Sequence, residues 1–360
     1  MPLGAGGGED VNVSATSKAL VGSTTDDEPT ERPRKQRRQA LHGPAHEEPW
    51  APYLFISPFF ILFSIFGVFT LAYTFWVSLH DWSLLGGMNA FVGIDNYLRL
   101  LDDPRFFKAT VNTFSILLLS TVPQMILALM LAEVLNDRLL RASHLFRSGL
   151  LVPNITSVVA IAIVFQSLFA RQNGLINAII QLLGFEPINW HAGRLTSHIA
   201  IASMVNWQFT GFNTLIFLAA LQAIPLAYYE AAQIDGANRI QRFFRISLPL
   251  LRPAILFAVV LSVIGQLQLF AQPLLFGAGA GSTSGGNDNQ YLTILLYLYG
   301  QAFQQPFRFG YSAAIAWTLV LMSALAAAIV FGINALLDRR EDRAERQHQR
   351  AVARRKEVAR

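Results

Sequence analysis

The sequence predicts an all-α, polytopic membrane protein with six transmembrane helices, and three observations support this prediction. The chain of 360 residues is 53% hydrophobic and only 14% charged, whereas soluble domains carry about 25% charged residues. Its mean hydropathy is +0.39. Its apolar residues are concentrated in six stretches, each long enough for the roughly 20 residues that cross a bilayer, and none contains Asp, Glu, Lys or Arg. These stretches are 53–79, 109–132, 149–170, 198–222, 253–276 and 309–337.

Three regions follow from this pattern. Residues 1–50 combine Gly-rich, Ser/Thr and acidic stretches with almost no apolar periodicity, so we expect a disordered N-terminal tail and not a signal peptide. Residues 51–337 form the membrane domain, and 338–360 form a basic C-terminal tail. We interpret the basic run at 32–38 as a topology determinant that also touches anionic lipid, because a membrane segment follows it. Nucleic-acid binding is the less favoured interpretation.

The distribution of positive charge predicts the orientation. If the loops alternate across the bilayer, 22 of the 28 Lys and Arg residues lie on the same side as the N-terminus and six lie on the other side. Because loops rich in Lys and Arg stay in the cytoplasm, we expect both termini to be cytoplasmic.

Several kinds of chemistry are absent from the sequence. The lack of cysteine excludes a disulfide framework, a thiolate zinc site and a cysteine nucleophile. No lysine follows a glycine, so the chain has no P-loop for ATP hydrolysis. Ion-coupled carriers commonly place a charge within the membrane, and the only near candidate, Glu133, we interpret as a helix-end charge that reaches water. We therefore expect no enzyme activity and no bound cofactor or metal.

The loop between the fourth and fifth stretches, 224–252, predicts two short helices. Pro225 begins the first, and Gly236 allows a sharp change of direction. The second runs over 237–246, carries three arginines near water, and ends before Pro249. From periodicity alone, an ordinary amphipathic helix at the membrane surface is at least equally consistent.

Within this loop, seven residues at fixed spacing resemble the Glu-Ala-Ala signature of permease subunits of binding-protein-dependent ABC importers. They are Glu230, Ala231, Ala232, Gly236, Ile246, Leu248 and Pro249. The resemblance covers about 51–337 and is nearest to carbohydrate-uptake permeases related to the maltose and glycerol-phosphate systems. Further similar segments are 91–97, 218–225, 235–237 and 309–314. The segment 275–281 departs from the Leu-Thr-Gly-Gly-Pro that is usual in these permeases.

The resemblance implies a type I ABC importer permease fold and a multi-pass subunit of a bacterial or archaeal plasma (inner) membrane. It implies pairing with a second permease and two ATP-binding subunits that dock on 228–246 within the coupling loop 224–252. It also implies a sugar delivered by an extracytoplasmic solute-binding protein. ATP and Mg would belong to the partner subunits. The residues that it implies for coupling are Glu230, Ala231, Ala232, Asp235, Gly236, Ile246, Leu248 and Pro249. Alternatives are a polyol or glycerol-phosphate permease, an ion-coupled secondary carrier, and a membrane scaffold without transport.

A sugar path needs neutral donors and acceptors together with an aromatic face. Two groups of residues in the apolar stretches meet this need. They are Asn206, Trp207, Gln208 and Asn213 in the fourth stretch, and Gln266, Gln268 and Gln272 in the fifth. Gln268 and Gln272 are four residues apart, which predicts that they share one helix face, and Asn206 and Asn213 are two turns apart. The alternative is that these amides bond across helices as packing groups.

Overall fold

A computed structural model of the chain describes residues 50–83, 86–137, 143–277, 283–304 and 307–358. The predicted N-terminal tail, apart from Trp50, and its basic run therefore lie outside the described residues, as do 278–282 of the loop after the fifth stretch. The chain divides into two units, residues 1–60 and 61–360. The described part of the first unit is helical from Ala51 onward.

The first predicted span is helical throughout. Helix α1 covers Ala51–Phe63, a π-helical turn covers Ser64–Val68, and α2 covers Phe69–Ser78. A short antiparallel hairpin follows, with β1 at His80–Ser83 and β2 at Gly87–Phe91. It is the one sheet among the described residues and a small addition to the predicted all-α class.

Three long helices form the frame of the second unit. They are α4 at Pro104–Leu135, α8 at Arg194–Gln222 and α15 at Phe309–Val358. Pro123 lies inside α4 without ending it. Helix α8 packs closely against the helical segment that contains Leu150. This close approach requires Gly211, because a Cβ there would lie 1.8 Å from the carbonyl oxygen of Leu150.

The third predicted span is broken, which sequence hydropathy did not predict. Helix α5 covers Ser143–Ile155, and α6 covers Val158–Leu168, with 93° between their axes. Ser157 takes an extended backbone with ψ 131°, and the Thr156 hydroxyl donates to the carbonyl of Val152. The length of an apolar stretch predicts that it can span the membrane. It does not predict a local change of backbone dihedral angle such as the one at Ser157.

The fifth predicted span is also discontinuous. Helix α12 covers Arg252–Leu267, and α13 covers Ala271–Phe276. Pro273 has no N–H to donate to the carbonyl of Leu269, and that carbonyl instead accepts a hydrogen bond of 2.8 Å from the Thr293 hydroxyl. The break is thus stabilised by a residue 24 positions away.

The remaining helices are short. They are α3 at Asp95–Leu101, α7 at Leu175–Leu182, α9 at Leu226–Ile234, α10 at Arg239–Arg242, α11 at Leu248–Leu250 and α14 at Ile294–Phe303. In the part of the chain that the structure describes, three helical stretches are long and apolar enough to cross a membrane: Tyr53–Ser78, Pro104–Leu135 and Phe309–Leu336. The number reaches six when each of three bent helix pairs is taken as one span.

Candidate functional site

A cavity of about 490 Å³ lies among α4, α5, α8 and α12, at the break before α13. Its walls contain seven polar side chains, all of them amides except one serine hydroxyl. These are Gln124, Asn154, Asn213, Ser262, Gln266, Gln268 and Gln272. Apolar walls come from Phe209, Phe212 and Phe270 with neighbouring aliphatic residues. A broken helix in a transporter commonly marks a polar site within the membrane, and the cavity lies at such a break.

Four of the predicted path residues line this cavity: Asn213, Gln266, Gln268 and Gln272. Gln208 does not line the cavity, but it contacts a residue that does, because its Oε1 accepts a hydrogen bond of 3.0 Å from Gln272 Nε2. Asn206 and Trp207 are not among the lining residues. The Trp207 ring instead packs against Phe165, with 6.1 Å between ring centroids.

The prediction that Gln268 and Gln272 share a face of one helix is wrong. Helix α12 ends at Leu267, Gln268 is its C-terminal cap, and α13 starts at Ala271. The two amides nevertheless line the same cavity, because the chain follows the cavity wall through the break between α12 and α13. They reach it from a helix end and from a separate short helix.

Gln124 and Asn154 are lining residues that the sequence reasoning missed. Both lie in apolar stretches that read as ordinary packing surface, and each is next to a proline, Pro123 or Pro153. An amide beside a proline in an apolar stretch was the available signal. Of the residues that line the cavity, none is charged.

The second candidate site is the coupling segment, defined here as residues 226–250. None of the side chains of α9 is buried. Gly236 has a φ of +78°, and the N–H groups of Gly236 and Ala237 donate to the carbonyls of Gln233 and Ala232. This is the Schellman arrangement that ends helices at glycine, so the predicted turn at Gly236 is confirmed.

After the turn, the backbone N–H groups of the next helix are satisfied by a capping box between Asn238 and Gln241. Helix α10 then continues through a π-helical turn at Phe243–Ser247 into α11. The prediction that this helix ends before Pro249 is wrong, since the helical stretch passes Pro249 and ends one residue later, at Leu250.

The signature residues of this segment are largely accessible. Glu230, Ala231, Asp235, Gly236 and Pro249 are exposed, and Ala232, Ile246 and Leu248 are partly buried. Large apolar side chains beside them are also exposed, above all Ile234 at 87% and Ile240 at 69%. Such a surface is available to a partner protein.

Ion pairs hold the coupling segment to the C-terminal end of α4. Arg239 Nη1 lies 3.3 Å from Asp137 Oδ2, and Arg239 Nε lies 3.9 Å from Glu133 Oε1. Glu133 therefore does not simply reach water, as its position at a helix end suggested. A polar cavity of about 770 Å³ adjoins these residues and includes Tyr229, whose hydroxyl lies 3.0 Å from Ser247 Oγ.

At the other end of α4, Asp103 links the helix to α14 and α15. Its carboxylate accepts hydrogen bonds from the Tyr297 and Tyr311 hydroxyls and caps α4 through the N–H groups of Arg105 and Phe106. Partial burial raises the pKa of the Asp103 carboxyl, but these hydrogen bonds together lower it below its usual value. Burial and the bond to Asp103 raise the pKa of Tyr297 to about 12.

Comparisons with known proteins agree with this arrangement. A family model described as "Binding-protein-dependent transport system inner membrane component" matches residues 104–343. The lactose transport system permease protein LacF of Rhizobium radiobacter is 37% identical over 282 residues, which cover 78% of this chain and 92% of LacF. The arabinooligosaccharides transport system permease protein AraP of Bacillus subtilis is 34% identical over 273 residues, 76% of this chain and 84% of AraP.

A solved structure has the same fold. A chain in the crystal structure of a bacterial alginate ABC transporter, in complex with an alginate pentasaccharide-bound periplasmic protein, superimposes with a TM-score of 0.66 at 21% identity. The match covers 79% of this chain and 93% of that chain.

Proposed function

Because the chain belongs to the binding-protein-dependent transport system inner membrane components, we propose that it is the permease subunit of an ATP-driven importer of a neutral sugar. The sugar arrives from an extracytoplasmic solute-binding protein. A second permease completes the translocation path, and two ATP-binding subunits, which hold ATP and Mg, supply the energy.

The observation that carries the sugar proposal is the neutral, amide-lined cavity at the broken fifth span. Primary amides both donate and accept hydrogen bonds, and the three phenylalanines offer flat apolar faces. Sugars combine hydroxyls with apolar C–H faces, so this lining is complementary to them. The relatives named for lactose and arabinooligosaccharide transport support the same substrate class.

A phosphorylated substrate is the less favoured alternative. Phosphate groups are bound by Arg, Lys or helix N-termini, and no cationic side chain is among the lining residues. A neutral sugar or polyol needs no such charge. The cavity therefore favours neutral substrates over glycerol phosphate.

The exposed surface of the coupling segment is the proposed docking site for the ATP-binding subunits. A nine-residue helix without buried side chains gains little from its own chain, and a partner that covers Ile234 and Ile240 would remove this apolar area from water. Closure of the ATP-binding subunits would then move the segment, and the ion pairs of Arg239 would pass the motion to α4.

The test uses Gly265, which lines the cavity and has no atom within 4 Å of an added Cβ. We expect Gly265→Leu to place its side chain in the cavity, starting from a Cβ that meets no atom within 4 Å, and to stop sugar uptake by the complex in proteoliposomes. Copurification of the partner subunits should persist, because Gly265 lies outside the coupling segment.

Gly332→Leu is the matched control. A Cβ there also meets no atom within 4 Å, and Gly332 lies in α15 away from the cavity lining. This variant should transport as wild type does. Undiminished uptake by Gly265→Leu would show that the substrate path lies elsewhere, and a preference of the wild-type complex for glycerol phosphate would overturn the neutral-sugar proposal.

A further inference from the structure

The side-chain amide of Gln124 is buried but makes no hydrogen bond within the described part of the chain. Its side chain lies in the middle of α4 and is only 1% exposed. Neither its Nε2 nor its Oε1 has a hydrogen-bond partner among the described residues. Buried polar groups are bonded in the great majority of cases, so each exception requires an explanation.

The neighbouring amides sharpen this contrast. Gln272 donates to Gln208 at 3.0 Å, and Asn213 Nδ2 lies 3.5 Å from Ser262 Oγ. Gln266 resembles Gln124, because its buried Oε1 is also unpaired within the described part of the chain. Two buried amides with unpaired atoms therefore line one cavity, on α4 and on α12. A role as packing groups between helices does not explain them, since such a role requires partners.

We propose that Gln124 is a specificity-determining residue that binds two neighbouring hydroxyls of the transported sugar. The inference rests on the proposed function and extends it to a residue that neither the signature nor the predicted path includes. A primary amide presents a donor and an acceptor side by side. It can therefore donate to one hydroxyl oxygen and accept from the hydroxyl on the adjacent carbon, while Gln266 Oε1 accepts from a third group.

This arrangement selects for hydroxyls in a defined way. An amide that is buried and bonded only when substrate is present leaves its atoms unpaired with a substrate that lacks the matching hydroxyl. Discrimination then comes from the cost of that unpaired state and not only from the lost bond. Gln124 should thus distinguish a sugar from its deoxy analogue.

The experiment compares Gln124→Met with wild type in proteoliposomes that contain the full complex and its binding protein. Lactose, maltose, trehalose and arabinotriose are the neutral probes, and glycerol 3-phosphate is the anionic probe. Methionine keeps the unbranched shape of glutamine but removes both polar atoms. For the neutral sugar that wild type transports, we expect KM to rise about tenfold, the effect of losing a buried hydrogen-bonding group.

Gln301→Met is the matched control. Gln301 Oε1 is likewise buried and unpaired within the described residues, but Gln301 does not line the cavity. Its substitution should leave KM unchanged. Neither variant should unfold at a lower temperature than wild type, because neither substitution removes a hydrogen bond made within the described part of the chain and both remove an unpaired buried atom.

A second arm uses monodeoxy analogues of the transported sugar. Wild type should transport one analogue about tenfold less efficiently than the parent sugar. Gln124→Met should transport this analogue and the parent sugar equally, because the hydrogen bond between the Gln124 amide and the missing hydroxyl no longer exists in either case. An unchanged KM and unchanged discrimination in Gln124→Met would overturn the role of Gln124 and leave the neutral-sugar proposal standing. Transport of glycerol 3-phosphate in place of every neutral probe would overturn both.

Discussion

Single residues decide where this chain changes direction and where it can bind. Gly236 takes a φ that side chains rarely adopt, and Pro273 leaves a carbonyl free for Thr293. Both effects come from backbone chemistry that is local to one residue. The positive φ at Gly236 could be predicted from the sequence for that reason, because a helix that must stop and turn within two residues needs glycine.

The unpaired amide of Gln124 could not be predicted in the same way. Its role depends on which face of α4 meets α12 and on whether that contact leaves a cavity, and neither is encoded within one apolar stretch. In sequence, a glutamine between Pro123 and a run of apolar residues is consistent with packing as much as with binding.

Gly236 gives the prediction at this scale. Gly236→Val forces a branched side chain into a left-handed conformation, at a cost of roughly 1–3 kcal/mol, and places it on an exposed docking surface. We expect normal membrane insertion and abundance but loss of the sugar-stimulated ATPase activity of the reconstituted complex.

Gly184→Val is its control, since Gly184 also has a positive φ of +85° with no atom within 4 Å of an added Cβ, and it lies outside the coupling segment. The two variants share the backbone strain and differ in location. Equal stimulation in both would remove the coupling role of Gly236.

At the scale of elements, hydropathy predicts where the apolar segments lie but not whether they are continuous. The six predicted stretches coincide with helical regions, yet the third and fifth are broken. A break requires hydrogen bonds from elsewhere in the fold, such as the bond from Thr293 to Leu269, and a sliding window of hydropathy contains no such information. The cavity depends on the fifth break, so its geometry was beyond the sequence as well.

Arg239 joins two elements that are distant in sequence, α10 and the C-terminal end of α4. Arg239→Asp places a negative charge near Asp137 and Glu133, so repulsion replaces attraction at 3–4 Å. We expect the amount of sugar transported per ATP hydrolysed to fall severalfold, because the coupling segment would move without α4. The measurement is paired uptake and phosphate release in proteoliposomes.

Restoring the charge pair provides the internal control. The double variant Arg239→Asp with Asp137→Arg should recover coupling in part, since Glu133 keeps its charge. Lys108→Glu breaks an ion pair of 2.7 Å with Asp288 that lies away from the coupling segment, and it should leave the coupling ratio unchanged. A normal ratio of sugar transported to ATP hydrolysed in Arg239→Asp would show that the ion pairs of Arg239 have no role in coupling.

At the scale of the whole molecule, most residues of the long apolar helices described here are not buried within the chain. In the most apolar part of Tyr53–Ser78 no residue is buried within the chain, and in Phe309–Leu336 the buried share is 17%, compared with 39% in Pro104–Leu135. Lipid or a second permease must cover these faces, because apolar area of this extent is not left in water. The proposed pairing of two permeases is consistent with that distribution.

The last prediction concerns the orientation of the whole molecule. If the loops alternate across the bilayer, 22 of the 28 basic residues lie on the side of the N-terminus. The positive-inside rule therefore predicts that the coupling segment is cytoplasmic, where ATP-binding subunits could reach it. The natural chain has no cysteine, so single cysteines report position without prior substitutions. Asp235→Cys tests the coupling segment, and Asn287→Cys tests the loop after the fifth stretch; both positions are exposed.

In intact spheroplasts, a membrane-impermeant maleimide should label Asn287→Cys at once, whereas Asp235→Cys and Glu345→Cys should react only after permeabilisation. Labelling of Asp235→Cys in sealed spheroplasts, with Asn287→Cys protected, would reverse the orientation and remove the coupling segment from the reach of any cytoplasmic ATPase.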